Sequence, residues 1–236
     1  MEKTIMKNIV LLGSLRTPFD EKLAAAFVRE GFRVFAAGNI PGGAVDASQP
    51  DDKIPEGVTL LPCDAGEAAA ALREKTGKLD FLLDTTDMSD VKDNFTVRDG
   101  IDRAVVERVY RQNVLRSMAL LEAFLPLLDE GEGKRLFYLT SAEASVNETS
   151  RADHFGYNMS KAGLHQFIQM TRNKLFSKGY TFRVFDPMSG TISPEAAAES
   201  AYNYITRRRG SDGQNLDRDD EDNLVFRDAE GRQHSW

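Results

Sequence analysis

Tyr157 and Lys161 stand four residues apart in the segment Tyr-Asn-Met-Ser-Lys. Within a helix that spacing sets both side chains on one face, a turn apart. An ammonium beside a phenol favours the phenolate and lowers a reference pKa of about 10 toward working pH. A phenol tuned in this way can give a proton to a carbonyl or take one from an alcohol. Upstream, Thr140 and Ser141 close the apolar run KRLFYLTS at 134–141, which places two hydroxyls at the end of an expected strand.

Such chemistry needs strand ends held against helix starts, and the rest of the chain is patterned to provide them. KNIVLLG at 7–13 is a short, β-branched, nearly continuous apolar run, the pattern of a strand buried on both faces. Similar runs recur at 32–38, 57–64, 79–84, 134–141, 180–186 and 223–228. Helical patterns lie between them, the longest at 101–128 (broken near its end by Pro126) and 155–178, with others at 65–77 and 194–209. The first helix has Thr17 as a cap, Pro18 at its first position, Asp20 and Glu21 in its first turn, and Gly31 as its stop. Residues 39–57 hold three prolines and three glycines without periodicity and read as a long loop. Strand–helix alternation implies parallel strands joined by right-handed crossovers. The expectation is one α/β domain over 1–236: a doubly wound parallel sheet of about seven strands with helices on both faces. In such sheets ligands bind outside the carboxyl ends of the strands, which is where Ser141 and Tyr157 fall.

Composition excludes several classes. The chain has 236 residues, and 37 acidic against 30 basic side chains give a formal charge of −7, opposite in sign to the footprint of a general nucleic-acid binder. A single cysteine, Cys63, excludes an internal disulfide framework, and His154, His165 and His234 make no recognisable metal spacing. No apolar run approaches the roughly 18–20 residues of a membrane span, and the first apolar stretch is too short for a secretory signal. A soluble, cytoplasmic protein with no nucleic-acid or membrane partner is expected.

Further residues fall into the same pattern. Asn113 lies in RQNVLRSMALLEAFLPLL, Pro187 follows Tyr157 by 30 residues, and Cys63-Asp64 ends the third apolar run. With these, the stretch from about 7 to 200 resembles the short-chain dehydrogenase/reductase family. The resemblance implies a Rossmann-like fold and hydride transfer between NADP or NAD and a small-molecule carbonyl or secondary alcohol. It implies Tyr157 as acid/base, Lys161 lowering its pKa and holding the nicotinamide ribose, Ser141 orienting the carbonyl, and Asn113 anchoring a proton-relay water. On the cofactor side it implies Gly13, Arg16, Asp64, Tyr157, Lys161 and Thr191. It also implies a homodimer or homotetramer, paired through the two long helices across a two-fold axis.

The cofactor half departs from that family's pattern. Of a Gly-x-x-x-Gly-x-Gly turn only Gly13 survives, with Thr17, Pro18 and Phe19 standing where phosphates approach. Asp20 and Glu21 put negative charge at the positive end of the helix dipole, which suits a self-capped helix better than a phosphate cradle. Asp84-Thr85-Thr86-Asp87 replaces the Asn-Asn-Ala-Gly expected after the fourth strand, and Met188 replaces a glycine after Pro187. Gly38-Asn39 supplies no acid for a ribose 2′-hydroxyl, and Arg16 tips the expectation slightly toward NADP. A second reading stays open: a catalytically silent relative that no longer binds dinucleotide and serves as a binding, regulatory or oligomeric scaffold. Elsewhere, Asp217–Asp222 reads as a solvated loop, Arg207–Arg209 as the last turn of a helix, and Gln233–Trp236 as a surface tail.

Overall fold

The computed structural model describes residues 8–11, 15, 17–37, 54–207 and 220–236. Gly13, Arg16, Gly38, Asn39, Arg208, Arg209 and Asp217, all singled out above, lie outside the described residues, as does most of the 39–57 segment.

Strands β1 (Asn8–Leu11), β2 (Arg33–Ala37), β3 (Val58–Leu61), β4 (Phe81–Asp84), β5 (Arg135–Leu139), β6 (Thr181–Asp186) and β7 (Phe226–Asp228) run parallel in one sheet. A two-residue strand, β8 (Gln233–His234), returns antiparallel along β7. The sheet order is β3-β2-β1-β4-β5-β6-β7-β8, so the winding direction reverses between β1 and β4. That reversal opens a crevice above the strand ends, the place where doubly wound sheets take ligands.

Alternate side chains of β2, β4, β5 and β6 enter opposite cores. Phe35, Leu82, Leu136, Tyr138, Phe182 and Val184 pack on one side with α2 (Ala65–Thr76), α4 (Arg116–Asp129) and α5 (Phe155–Leu175). Val34, Phe81, Leu83, Phe137, Leu139 and Phe185 pack on the other with α1 (Pro18–Arg29) and α6 (Pro194–Thr206). Burial on both faces is the physical reason these strands are nearly unbroken apolar runs. A sixth helix, α3 (Arg103–Tyr110), leads into α4 through a π-helical turn at Arg111–Leu115.

Four expectations change. The sheet has eight strands among the described residues, because the closing residues pair with β7 rather than forming a free tail. The Trp236 ring packs 4.9 Å from His165 and 6.0 Å from Phe226, while its carbonyl accepts from Asn147 Nδ2 at 3.1 Å. Pro126 sits inside α4 without ending it; the carbonyl it leaves unpaired belongs to Glu122, an exposed position where water can serve it. Of the acidic run, Asp220 is buried and paired in a fork to Arg227 at 2.8 and 2.9 Å, so that part is not a solvated loop.

The start of α1 answers the question raised by its missing glycines. Thr17 Oγ1 accepts from the Asp20 N–H at 3.1 Å, and Asp20 Oδ2 accepts from the Thr17 N–H at 3.4 Å. This reciprocal capping box satisfies helix-end donors that a phosphate would otherwise take. Phe19 is buried and stacks on Phe185 with centroids 6.4 Å apart. Burial pushes the Asp20 carboxyl up to about 7, against the hydrogen bonds from Thr17, which favour its ionised form. An acid whose folded pKa is raised keeps its proton in the folded state while the unfolded chain ionises. Stability contributed at low pH is therefore lost between about pH 4 and pH 7. Asp20→Asn should unfold at the same urea midpoint as the parent near pH 4. At pH 8 it should be the more stable by up to about 4 kcal/mol, since one pKa unit corresponds to about 1.4 kcal/mol. Urea melts at the two pH values check this.

Candidate active site

The site is assembled where the ends of β4, β5 and β6 meet the start of α5. That helix begins at His154, which has left-handed backbone (φ 58°) and offers no side-chain cap. Asp93, fully buried, provides the cap from a distance. Its Oδ1 accepts from Gly156 N at 3.0 Å, its Oδ2 from Tyr157 N at 2.7 Å, and its carbonyl from His154 N at 2.9 Å. Gly156 is required by this closeness: a Cβ there would lie 3.0 Å from Asp93 Oδ2 and 3.2 Å from Val106 Cα. Asp93 thus fixes the backbone that carries Tyr157.

Asn113 lies within the π-helical turn and is fully buried. Its Oδ1 accepts from Met88 N at 2.9 Å, and its Nδ2 donates to Met88 O at 2.9 Å and Ser160 Oγ at 2.8 Å. Ser160 Oγ in turn donates to Tyr157 O at 2.8 Å. Asn113 therefore binds the loop after β4 to the first turn of α5, and it stands behind the cleft rather than on its wall.

Lys161 is also fully buried. Its Nζ donates to Thr86 O at 2.9 Å, to Leu139 O at 3.1 Å and to Asp87 Oδ1 at 2.9 Å. The same Asp87 oxygen accepts from the Tyr157 hydroxyl at 2.8 Å. Tyr157 and Lys161 do share a helical face, but the expectation for their electrostatics is reversed. Burial and then the Asp87 carboxylate hold the Tyr157 phenol well above its ordinary value, and Ser141, hydrogen-bonded to it, offsets only part of this. The ammonium's effect is spent on a carboxylate that accepts from both donors.

Tyr157 and Asp87 face a cleft of about 330 Å³ whose walls also include Ser141, Asp186, Pro187 and Thr191, with Lys161 buried behind them. Asp186 braces its far side: Oδ2 accepts from Ala142 N and Oδ1 from Met188 N, both at 2.7 Å. Met188 takes left-handed backbone (φ 52°), the conformation for which a glycine was expected. Thr191 N closes that turn onto Met188 O at 2.9 Å, which leaves Thr191 on the cleft wall. Burial, and secondarily Asp87, raise the Asp186 carboxyl above its ordinary value. Beneath the wall, Thr140 Oγ1 and His165 Nε2 lie 2.5 Å apart. Burial, then Lys161, lower His165 to about 4, so its ring is neutral at neutral pH.

The structure thus brings Ser141, Tyr157, Lys161 and Thr191 together, with Asn113 one layer behind. Asp64 is elsewhere: it caps α2, its Oδ1 accepting from Gly66 N at 2.9 Å and Glu67 N at 3.0 Å. Sequence reasoning missed Asp87 and Asp186 as site residues. Asp87 had a signal, since it stands in the altered segment after β4; Asp186 had one of position, as the charged last residue of the run at 180–186.

This sheet order and this placement of helices are the fold of the short-chain dehydrogenase/reductases. A carbonyl reductase of Drosophila melanogaster, Sniffer, superposes with a TM-score of 0.78 at 13% identity, over 98% of this chain and 100% of that one. A carbonyl reductase of Pseudomonas aeruginosa, solved in complex with NADP, gives 0.74 at 18% identity over the same shares. In sequence, the chain is 27% identical to an uncharacterized oxidoreductase of Schizosaccharomyces pombe over 178 residues, 73% of this chain and 68% of that one. It is 25% identical to the C-signal protein of Myxococcus xanthus over 112 residues, 48% of this chain and 66% of that one. No protein-family model matches the chain. Among the described residues, no helix is long and apolar enough to cross a membrane, and no group of three or more His, Cys, Asp or Glu is placed to hold a metal ion.

Removing the remote cap of α5 should disturb both stability and the site. Asp93→Ala leaves the N–H groups of Gly156 and Tyr157 without their buried acceptor, at a cost of about 1–3 kcal/mol each. The variant should show a lower urea midpoint, together with increased amide exchange at 156 and 157.

Proposed function

We propose that this chain is an NAD(P)-dependent oxidoreductase of the short-chain dehydrogenase type, acting on a small carbonyl compound or secondary alcohol. The carrying observation is the convergence of Ser141 and Tyr157 on one cleft at the carboxyl ends of β4–β6, with Lys161 buried behind Tyr157. The names of the fold's relatives, carbonyl reductases and an oxidoreductase, support the same reading.

The reacting end of the cleft fits a nicotinamide: its walls offer the hydroxyls of Ser141, Tyr157 and Thr191 in a space of about 330 Å³. Thr191 would meet the carboxamide, and Lys161 and Tyr157 the ribose. A bound nicotinamide supplies or accepts the hydride. The protein's own part is to hold the substrate oxygen between Ser141 and Tyr157 and to move a proton at the Tyr157 hydroxyl. Because its phenol is held neutral, Tyr157 is set to donate a proton to a nascent alkoxide, the direction of carbonyl reduction. At the phosphate end, the capping box of Thr17 and Asp20 replaces the open helix terminus, so binding there depends on contacts other than the α1 N–H groups. NADP is favoured over NAD on Arg16 alone. A homodimer or homotetramer is the proposed assembly, supported by Leu115, Met159 and Met170, which are exposed on the π turn and α5.

The Asp87 contact and the self-capped α1 favour a second reading, a silent binding scaffold on the same fold. Titration decides between the two. NADH or NADPH should show enhanced nicotinamide fluorescence and raise the melting temperature; no response to either at millimolar concentration overturns the enzyme reading. With a panel of small carbonyl compounds, Tyr157→Phe should keep most of the cofactor affinity and lose about 10²–10⁴-fold in turnover. Unchanged turnover would remove Tyr157 from its role.

A further inference from the structure

Tyr157 stands on the wall of an open cleft and Lys161 is buried directly behind it, and donors so placed normally wait for a ligand or for water. Here they do not wait. Asp87 Oδ1 takes the Tyr157 hydroxyl at 2.8 Å and the Lys161 ammonium at 2.9 Å, and Asp87 itself lines the cleft. Lys161 has three donors, and the other two are committed to Thr86 O and Leu139 O. The hydrogen bond to Asp87 is therefore the one that a ligand can compete for. The carboxylate side chain is about one quarter exposed, at 26%. It belongs to the loop after β4, where the N–H and carbonyl of the neighbouring Met88 are both hydrogen-bonded to the Asn113 side-chain amide. The loop is anchored, and only the side chain of Asp87 has to move to release both donors.

We propose that Asp87 is a built-in occupant of the Tyr157–Lys161 donor pair: its carboxylate holds both groups in the resting protein and must yield before a ligand oxygen can take either. Asp87 is a positioning residue with two effects. It keeps the phenolic proton on Tyr157, and it screens the cleft against ligands whose oxygens cannot outcompete a carboxylate. The charges around Tyr157 come from Lys161 on its own helix, Asp87 and Asp93 after β4, Glu143 after β5 and Asp186 at the end of β6. Lys161 is the only cation among these five. Neutralising Asp87 frees its field to act on the phenol, and this is the direction in which the phenolate gains.

Asp87→Asn keeps the shape of the side chain and an oxygen that can accept from both donors, so it preserves the loop while removing the charge. The phenol is read by ultraviolet difference titration near 295 nm. The signal of Tyr157 is isolated by subtracting Tyr157→Phe in the same background, because the chain has six tyrosines. The Tyr157 titration should fall by about one to three pH units in Asp87→Asn. A midpoint unchanged from the parent overturns the proposal, whether or not any cofactor binds.

The second test rests on the dinucleotide reading of the cleft. Asp87→Gly empties the donor pair and should bind NADH or NADPH at least tenfold more tightly than the parent, by nicotinamide fluorescence. Binding by both proteins at equal affinity overturns the screening role. If neither protein binds either dinucleotide while the Tyr157 titration still falls in Asp87→Asn, the oxidoreductase reading fails and the occupancy of the donor pair stands. If Asp87→Gly does not fold, the affinity comparison is made with Asp87→Asn, for which a threefold or greater gain is expected and parity counts against the screening role.

Discussion

A buried ammonium group governs the architecture of this cleft. Removing such an ion from water costs several kcal/mol unless its donors are matched by oxygen acceptors. Lys161 meets that demand with oxygens from two strand ends at once, Thr86 O and Asp87 Oδ1 after β4 and Leu139 O at the end of β5. Neither strand end can move independently of α5 without leaving the charge short of a partner. Asn113 repeats the tie from the other side, joining Met88 to Ser160. Tyr157 is therefore held through its backbone by Asp93 and through its neighbours by these two buried side chains.

The same demand explains why a carboxylate is tolerated beside a phenol. Without Asp87 the Lys161 charge would have only neutral carbonyls around it. With Asp87, the ion pair is local, and the electrostatic benefit to Tyr157 is lost. Two requirements that the sequence pattern treats as one, a lysine near a tyrosine and a lysine acting on that tyrosine, are separated by a single side chain.

Most of the scaffold was legible in the sequence because burial on both faces leaves a plain mark. The runs at 79–84, 134–141 and 180–186 contain β4, β5 and β6 for that reason. Helix ends were legible where a residue type has one dominant use, as with Thr17 and Pro18 at the start of α1. What escaped detection depends on contacts distant in sequence. β8 is two residues long and exists only by pairing with β7. Asp93 caps a helix that begins 62 residues later, so no local motif joins the two. Asn113, Ser141, Tyr157 and Lys161 could be singled out by type and order, but the direction of the shift at Tyr157 could not, because it depends on the carboxylate that Lys161 reaches.

The π-helical turn between α3 and α4 solves a problem of phase. Val105, Val109, Asn113, Ser117 and Leu121 are all buried and follow one another at intervals of four. In an uninterrupted α-helix each step of four overshoots a full turn by about 40°, so the fifth residue would arrive roughly 160° away from the first. The turn at Arg111–Leu115, where Arg116 N reaches back five residues to Arg111 O, absorbs one residue and so takes back about 100° of that drift. One line of side chains can then run straight along α5 from α3 through the turn, with Asn113 at its midpoint. The irregularity thus works as a vernier, bringing a four-residue repeat in the sequence into register with a helix that repeats every 3.6.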